Sequence, residues 1–427
     1  MTAGSPERRI IVGILMDMDR GTFMSEAIAS GVRCAPADIN RSFITREVKG
    51  VTERRITIDY IIDSVARTKT SRQDSMIRSV LRMAVYELVF EDGIPQHAAV
   101  NEAVELVKRS KHRELSGFVN GVLRNINRNR DGFTSSFYKK TEIIYSIPKW
   151  IFERWKIEFG FNEAENMAKA SLAERKLTAR VNTRLTDMVA LTEMLDSSGT
   201  EVVPLSENKN AFVLSGVSDL TSLSAFREGF FYVSDLSSQA VVDSAGIKPG
   251  DEILDICAAP GGKSVTAAIL TGDKGKVVSC DLTPRKVLLI EENIKRLKLT
   301  NVEALLNDAK VLKNDFIERF DIVLADLPCS GLGTIAHKPD VKYRVKESDI
   351  AGLAAAQREI LGTAARYVKM GGRLVFSTCT VDLTENRKNA EWFLESHPDY
   401  ELIASEQRFI TESYDGFFYA VFRKRDL

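Results

Sequence analysis

Cysteine is scarce: Cys34, Cys257, Cys280, Cys329 and Cys379 are the five in 427 residues. They are too few and too scattered for a disulfide scaffold, and no Cys-x-x-Cys pair offers a zinc knuckle, so no metal site is expected. Free thiols suit a reducing compartment, which leaves room for a catalytic thiol. No run approaches the roughly 18 consecutive apolar residues of a spanning helix, and the first residues lack the apolar core of a signal peptide. A soluble, cytoplasmic protein that does not enter a membrane is the expectation. With 44% hydrophobic and 28% charged residues, the composition excludes a disordered or collagen-like chain. The length exceeds one compact domain and suggests two or three.

Net charge is also lacking, because Lys plus Arg and Asp plus Glu both total 59. The zero conceals an uneven distribution: residues 1–140 carry 23 basic and 17 acidic side chains, and residues 141–427 carry 36 and 42. A basic N-terminal part is what contact with a polyanion requires.

Up to residue 130 the apolar periodicity is helical, with Ile77, Leu81, Ala84, Val85 and Leu88 on one face and Val100, Ala103, Val104 and Val107 on another. An all-α domain over 1–130 is predicted. Phe118, Val122 and Ile126 form a further stripe whose polar side holds Arg124, Arg128 and Arg130, an RNA-facing surface or simply a solvated one. Residues 131–235 read as a small α+β segment, with helices around Trp150–Phe159 and Glu163–Glu174 and short strands at Ala179–Asn182 and Ala211–Leu214. Lys139, Lys140, Tyr145, Lys149, Trp150 and Trp155 interleave basic and aromatic side chains there, suited to stacking bases or to ordinary helix packing.

Residues 236–427 carry short β-rich runs separated by helix-length stretches: Glu252–Cys257, Lys276–Asp281, Val302–Leu306, Asp321–Asp326 and Arg373–Cys379. This alternation predicts a mostly parallel sheet with helices on both faces, an α/β Rossmann-like domain. Thr283-Pro284 opens a helix expected to run to about Leu299. In such a sheet ligands bind outside the carboxyl ends of the strands. Here those ends carry Cys257-Ala258-Ala259-Pro260-Gly261-Gly262-Lys263, Asp281, Asn307-Asp308, Asp326-Leu-Pro-Cys329 and Ser377-Thr-Cys379. A buried structural role explains any one of them, but five on one rim indicate a site.

Gly261 and Gly262 clear side chains from the first turn, and Asp281 follows Gly261 by twenty residues, the interval at which an acid reaches ribose hydroxyls. A nucleoside-containing cofactor is indicated. Gly262-Lys263-Ser264 copies the end of a P-loop, but Cys257 stands where its first glycine is required. Gly-x-Gly-x-x-Gly does not occur at this turn, which disfavours a nicotinamide enzyme.

Cys257-Ala-Ala-Pro-Gly-Gly-Lys263, Asp326-Leu-Pro-Cys-Ser-Gly331, His337-Lys-Pro-Asp340, Gln357-Arg-Glu-Ile-Leu361, Ser377-Thr-Cys-Thr380 with Glu385-Asn386, and Asp415-Gly-Phe-Phe418 resemble the motif series of the S-adenosylmethionine-dependent RNA 5-methylcytosine methyltransferases. Leu81-Arg-Met-Ala-Val-Tyr-Glu-Leu88, Val100-Asn-Glu-Ala-Val-Glu-Leu106 and Phe118-Val-Asn-Gly-Val-Leu-Arg124 resemble the NusB helical RNA-binding fold. The combination is similar to the bacterial RsmB (Sun/Fmu) family over nearly the whole chain. Leu327 and Ser264 depart from its usual alanine and threonine without touching a proposed reacting atom.

The resemblance implies a class I methyltransferase domain, S-adenosylmethionine as cofactor, and 16S ribosomal RNA as partner, with an unstacked loop cytosine methylated at C5. Because cytosine C5 is a poor nucleophile, a thiol must first bond to C6. The residues alone leave open which of Cys329 and Cys379 attacks. The resemblance makes Cys379 the nucleophile and Cys329 the thiol that assists release. Asp326 is expected at the base edge, where a protonated carboxyl would stabilise developing charge. The resemblance assigns cofactor contacts to Cys257, Ala258, Ala259, Pro260, Gly261, Gly262, Lys263 and Asp326, the ribose to Asp281 and the adenine side to Asp308. Lys263 is also placed to favour a thiolate. The same chemistry on tRNA, and a non-catalytic RNA-binding assembly factor, are the competing readings; a monomer is expected.

Overall fold

The computed structural model describes residues 5–426 apart from 37, 134, 198, 207 and 218. It divides into two compact units, one reaching to Leu172 and including Ile335–Arg344, the other made of Ala173–Thr334 and Val345–Leu427.

The first unit is helical: Pro6–Asp19, Met24–Arg33, Arg41–Glu53, Arg55–Val65, Ser75–Val89, Gln96–Lys108 and Ser116–Arg128, followed by shorter helices and by Lys149–Phe159 and Phe161–Ala170. Local chemistry starts several of them. Pro6 opens the first, the Asn40 side-chain Oδ1 accepts from Phe43 N at 2.9 Å, and the Asp74 carboxylate accepts from Met76 N at 2.9 Å. The stripe Ile77, Leu81, Ala84, Val85 and Leu88 is buried with Ile44, Val48, Ile61, Leu123 and Ile126 in one core. Each large side chain so buried contributes about 1.5–3 kcal/mol. Trp155 lies in the interior, so it cannot stack on a base, whereas Lys139, Lys140 and Lys149 are exposed.

From the sequence, Lys338, Lys342, Arg344 and Lys346 read either as a basic run that holds phosphates or as an ordinary solvated loop, and the structure corrects both readings for Lys342 and Arg344. Lys342 is 1% exposed and donates to the Glu53 carbonyl at 2.9 Å, while Arg344 donates to the Gly21 and Thr22 carbonyls and lies 3.6 Å from the Phe23 ring centroid. Burial pushes the Lys342 amine down to about 7. Lys338 and Lys346 alone of the four remain exposed.

In the second unit β1 (Leu177–Val181), β2 (Glu201–Leu205), β3 (Asn208–Ser215) and β4 (Phe231–Val233) form an antiparallel sheet in the order β2-β3-β1-β4. The larger sheet comprises β5 (Glu252–Asp255), β6 (Lys276–Asp281), β7 (Val302–Leu306), β8 (Phe320–Asp326), β9 (Val368–Thr378), β10 (Tyr400–Arg408) and β11 (Phe417–Lys424), in the order β10-β11-β9-β8-β5-β6-β7. Strands β5 to β9 are parallel, as expected; β11 runs antiparallel to β9, and β10 to β11, an edge that the sequence reading did not foresee.

Alternation feeds both faces of this sheet. Leu254, Val278, Val323 and Phe376 pack on one side, and their neighbours Ile253, Val277, Leu324 and Val375 on the other. The helix opened by Thr283-Pro284 runs Pro284–Arg296, with Lys298 at φ +54° just beyond it. The chain builds outward from β5 through β6 to β7, then returns to add β8 on the opposite side of β5. That reversal opens a crevice at the carboxyl ends of β5 and β8, where an open α/β sheet receives its ligand.

Candidate active site

The turn after β5 carries Cys257 to Lys263 into the helix Gly262–Thr271. Gly261 caps that helix at φ +104°, a left-handed conformation that explains glycine there. Lys263 projects from the first turn, and its ammonium donates to Asp326 Oδ2 at 2.7 Å. Burial lowers the Lys263 pKa, but the Asp326 carboxylate outweighs it, so the group is held above the ordinary lysine value. Ser264, whose hydroxyl would face a metal in a P-loop, donates instead to Asp255 Oδ2 at 2.7 Å. Asp255 is fully buried, and burial pushes its carboxyl up to about 7.

Asp281 at the end of β6 accepts from Ala259 N at 3.0 Å and Leu282 N at 2.7 Å, and Lys286 lies 3.0 Å from Oδ1. Asp281 is nearly enclosed, but the Lys286 side chain is half-exposed, so it can turn away from an incoming hydroxyl. Asp308 is exposed just past β7, and its Oδ1 accepts from Lys310 N at 3.0 Å.

Strands β8 and β9 are neighbours, with Asp326 opposite Ser377 in register. Their ends therefore bring Asp326, Cys329 and Cys379 together. The Ser377 hydroxyl donates to Asp326 Oδ1 at 2.8 Å, which leaves Asp326 an acceptor from two neighbours. The Cys329 and Cys379 sulfurs lie 3.5 Å apart. The hydrogen bond to Cys379 is the largest cause that raises Cys329 well above an ordinary thiol, reinforced by burial and by the Glu385 and Asp326 charges. Either sulfur can donate in this contact. Burial also raises Cys257, with Asp255, Asp281 and Asp326 adding to the effect, and raises Cys280 to about 12. Neither is a ready nucleophile.

Sequence reasoning quoted Ser330, Gln357 and Glu385 only as letters in motifs, and the structure gives them a place. Glu385 is fully buried; its Oε1 accepts from Ser330 N at 2.9 Å and Gln357 Nε2 at 3.0 Å, and its Oε2 accepts from the Ser330 hydroxyl. Burial pushes this carboxyl up to about 7. The nearest sequence signal was the polar cluster Asp382–Asn386 directly after Cys379.

For a nucleoside cofactor, the crevice offers a left-handed glycine at a helix N-terminus, an acid ending β6, and two buried polar atoms without hydrogen-bond partners, Asp255 Oδ1 and Asn307 Nδ2. These residues fit such a group.

Residues 245–423 match the family described as 16S rRNA methyltransferase RsmB/F, residues 5–128 match the NusB family, and residues 147–221 match the ferredoxin-like domain of RsmF/B-like methyltransferases. The probable ribosomal RNA small subunit methyltransferase B of Bacillus subtilis is 37% identical over 86% of this chain and 82% of its own. The ribosomal RNA small subunit methyltransferase B of Vibrio cholerae is 31% identical over 96% and 95%. The crystal structure of PH0851 is similar with a TM-score of 0.84 and 26% identity, covering 99% of this chain and 100% of that one. Among the described residues, no helix is long and apolar enough to cross a membrane. With a NusB-like helical region, a ferredoxin-like middle region, a Rossmann-like sheet and relatives of this identity across most of its length, the chain belongs to the ribosomal RNA small subunit methyltransferase B family.

Proposed function

We propose that this chain methylates C5 of a cytosine in 16S ribosomal RNA through a temporary bond between the Cys379 sulfur and C6 of the base. The observation that carries this reading is the 3.5 Å approach of the Cys329 and Cys379 sulfurs beside the Lys263–Asp326 ion pair. S-adenosylmethionine, when bound, supplies the methyl group. Cys257 to Lys263, Asp281, Asp308 and Asp326 hold it, with Asp281 at the ribose and Asp308 on the adenine side.

The Cys379 thiolate, its proton lost to solvent, donates an electron pair to C6, and the C5–C6 π pair moves to C5, which then acts as the nucleophile. Charge that develops on the ring meets Asp326 and Lys263. Because Asp326 already accepts from both neighbours, a proton lent to the base comes by way of the Lys263 ammonium. After transfer, the Cys329 thiolate, its own proton lost to solvent, takes the C5 proton, C5=C6 re-forms, and the S–C6 pair returns to Cys379. Cys329 is placed for this by its 3.5 Å distance from the Cys379 sulfur.

The target cytosine must be unstacked to reach the crevice. Residues 1–130 and 131–235 supply the RNA contacts and 236–427 the catalysis, in a monomeric cytoplasmic enzyme. The test is methyl transfer from labelled cofactor to 16S and tRNA transcripts. Label at cytosine C5 of 16S RNA that Cys379→Ala abolishes, with a covalent RNA adduct in Cys329→Ala, is the expected result. Label in tRNA alone overturns the substrate, and no transfer to either RNA overturns the enzyme reading.

A further inference from the structure

Both residues that flank each thiol are pinned by buried side chains. Before Cys329, the Pro328 carbonyl accepts from Gln357 Nε2 at 3.0 Å; after it, Ser330 donates to Glu385 through both its backbone N–H and its hydroxyl. Before Cys379, the Thr378 hydroxyl donates to Asn386; after it, Thr380 shares a 2.6 Å hydrogen bond with the Ser330 hydroxyl and its carbonyl accepts from Asn386 Nδ2 at 3.0 Å. The Ser330 hydroxyl is therefore a direct side-chain link between the two thiol-bearing turns, and Glu385 holds Ser330. Gln357, in the helix Asp349–Ala365, is fixed in turn by Asn389 Nδ2, which donates to Gln357 Oε1 at 2.7 Å.

We infer that Glu385 is a positioning residue for release of the methylated base: by clamping Ser330 it sets where the Cys329 sulfur stands relative to Cys379. The inference rests on the proposed function. Glu385 touches neither thiol by hydrogen bond, and both its oxygens are spent on Ser330 and Gln357; its charge raises the Cys329 thiol, which opposes release, so any help it gives to release comes through the turn. A carboxylate is the group the site demands, because three donors converge on two acceptor oxygens. Glutamine of the same length offers one acceptor and presents an N–H group to a donor, so the Ser330 turn loses an anchor while the strand-borne part of the site is left in place. Attack by Cys379 draws on β9 and on Lys263 with Asp326. Release draws on the turn that carries Cys329.

The experiment compares full-length wild type, Glu385→Gln, Ser330→Ala and Cys329→Ala on 16S RNA. Three quantities are read: single-turnover methyl transfer, steady-state turnover, and the fraction of enzyme linked to RNA on a denaturing gel. Glu385→Gln is expected to keep single-turnover transfer within about threefold of wild type, lose tenfold or more in turnover, and accumulate adduct as Cys329→Ala does. Ser330→Ala, which keeps the carboxylate and Gln357, is expected to shift the same ratio in the same direction by less. It carries the test if Glu385→Gln does not fold.

Turnover and adduct fraction equal to wild type in the variants overturn the inference. So does a loss of single-turnover transfer in parallel with turnover, which is what a merely structural role produces. Adduct in Cys329→Ala with none in Glu385→Gln overturns the inference alone, whereas no adduct in Cys329→Ala overturns the proposed thiol roles on which it rests.

Discussion

Glu47 supplies a quantitative test of the electrostatics of the helical unit. It lies in the helix Arg41–Glu53, is fully buried, and neither carboxyl oxygen has a hydrogen-bond partner. Burial, then the nearby Glu87 and Glu91 carboxylates, push its pKa from 4.5 up to about 8, against smaller opposing effects of Arg46 and Arg8. Below pH 4.5 the folded and unfolded chains both hold this proton. Between 4.5 and 8 only the folded chain does, so stability falls by about 1.4 kcal/mol per pH unit, and above 8 the loss is complete. At pH 7 the cost is roughly 3 kcal/mol, approaching about 5 kcal/mol above pH 8. Glu47→Gln replaces one neutral buried polar group by another and cannot ionise. It should match wild type within about 1 kcal/mol at pH 4.5 and exceed it by several kcal/mol at pH 8.5. Two of the three tryptophans, Trp150 and Trp155, lie in the helical unit, so urea melts followed by fluorescence in a Trp392→Phe background report it separately. Titrations of groups not coupled to Glu47 cancel in the difference between the two proteins. A stability difference that stays constant from pH 4.5 to 8.5 would refute the assignment of a neutral, desolvated Glu47.

A Cβ added at Gly333 would lie 1.9 Å from the Gly416 carbonyl oxygen and 2.9 Å from that of Cys379; Gly333→Ala should therefore cut methyl transfer by tenfold or more while retaining the far-ultraviolet circular dichroism of the wild type. Removing the ammonium in Lys263→Met strands the Asp326 carboxylate beside the thiols. Single-turnover transfer should fall by about 10²–10³-fold, and a rate near wild type would exclude Lys263 from charge stabilisation. Phe376 is fully buried in β9, and Phe376→Ala should cost about 3–5 kcal/mol of stability, measured as a lowered denaturation midpoint for the sheet unit.

The parallel strands were legible because each is short, apolar in alternation and bounded by a helix-length stretch, and because every strand end carries a polar or reactive residue. Asp326, Cys329 and Cys379 were found by that logic, and the structure brings them together. Lys342 shows where such reading fails: in a loop beside Lys338 and Arg344 it looks solvated, and only the distant Glu53 carbonyl explains its burial. Glu385 failed to stand out for the same reason. Its partners Ser330 and Gln357 are 55 and 28 residues away, and a local pattern carries no information about contacts at that separation. Strand β10 escaped because this edge strand mixes charged and apolar residues without clean alternation, and β11 because its unbroken apolar run Phe417–Phe422 has no period to tell a strand from a buried helix.

The inclusion of residues 335–344 in the helical unit bears on how the chain folds as it is made. Asp340 accepts from Met24 N at 3.0 Å, the Arg55 guanidinium lies 3.7 Å from the Tyr343 ring centroid, and Lys342 reaches the Glu53 carbonyl, so the helices up to Leu172 lack part of their native packing until those residues exist. At about 5–20 residues per second, translation from Leu172 to Arg344 takes roughly 10–35 s. During that interval the N-terminal helices stand with a gap that the later chain must fill, and a gene fragment ending at Leu172 would leave the gap permanently open.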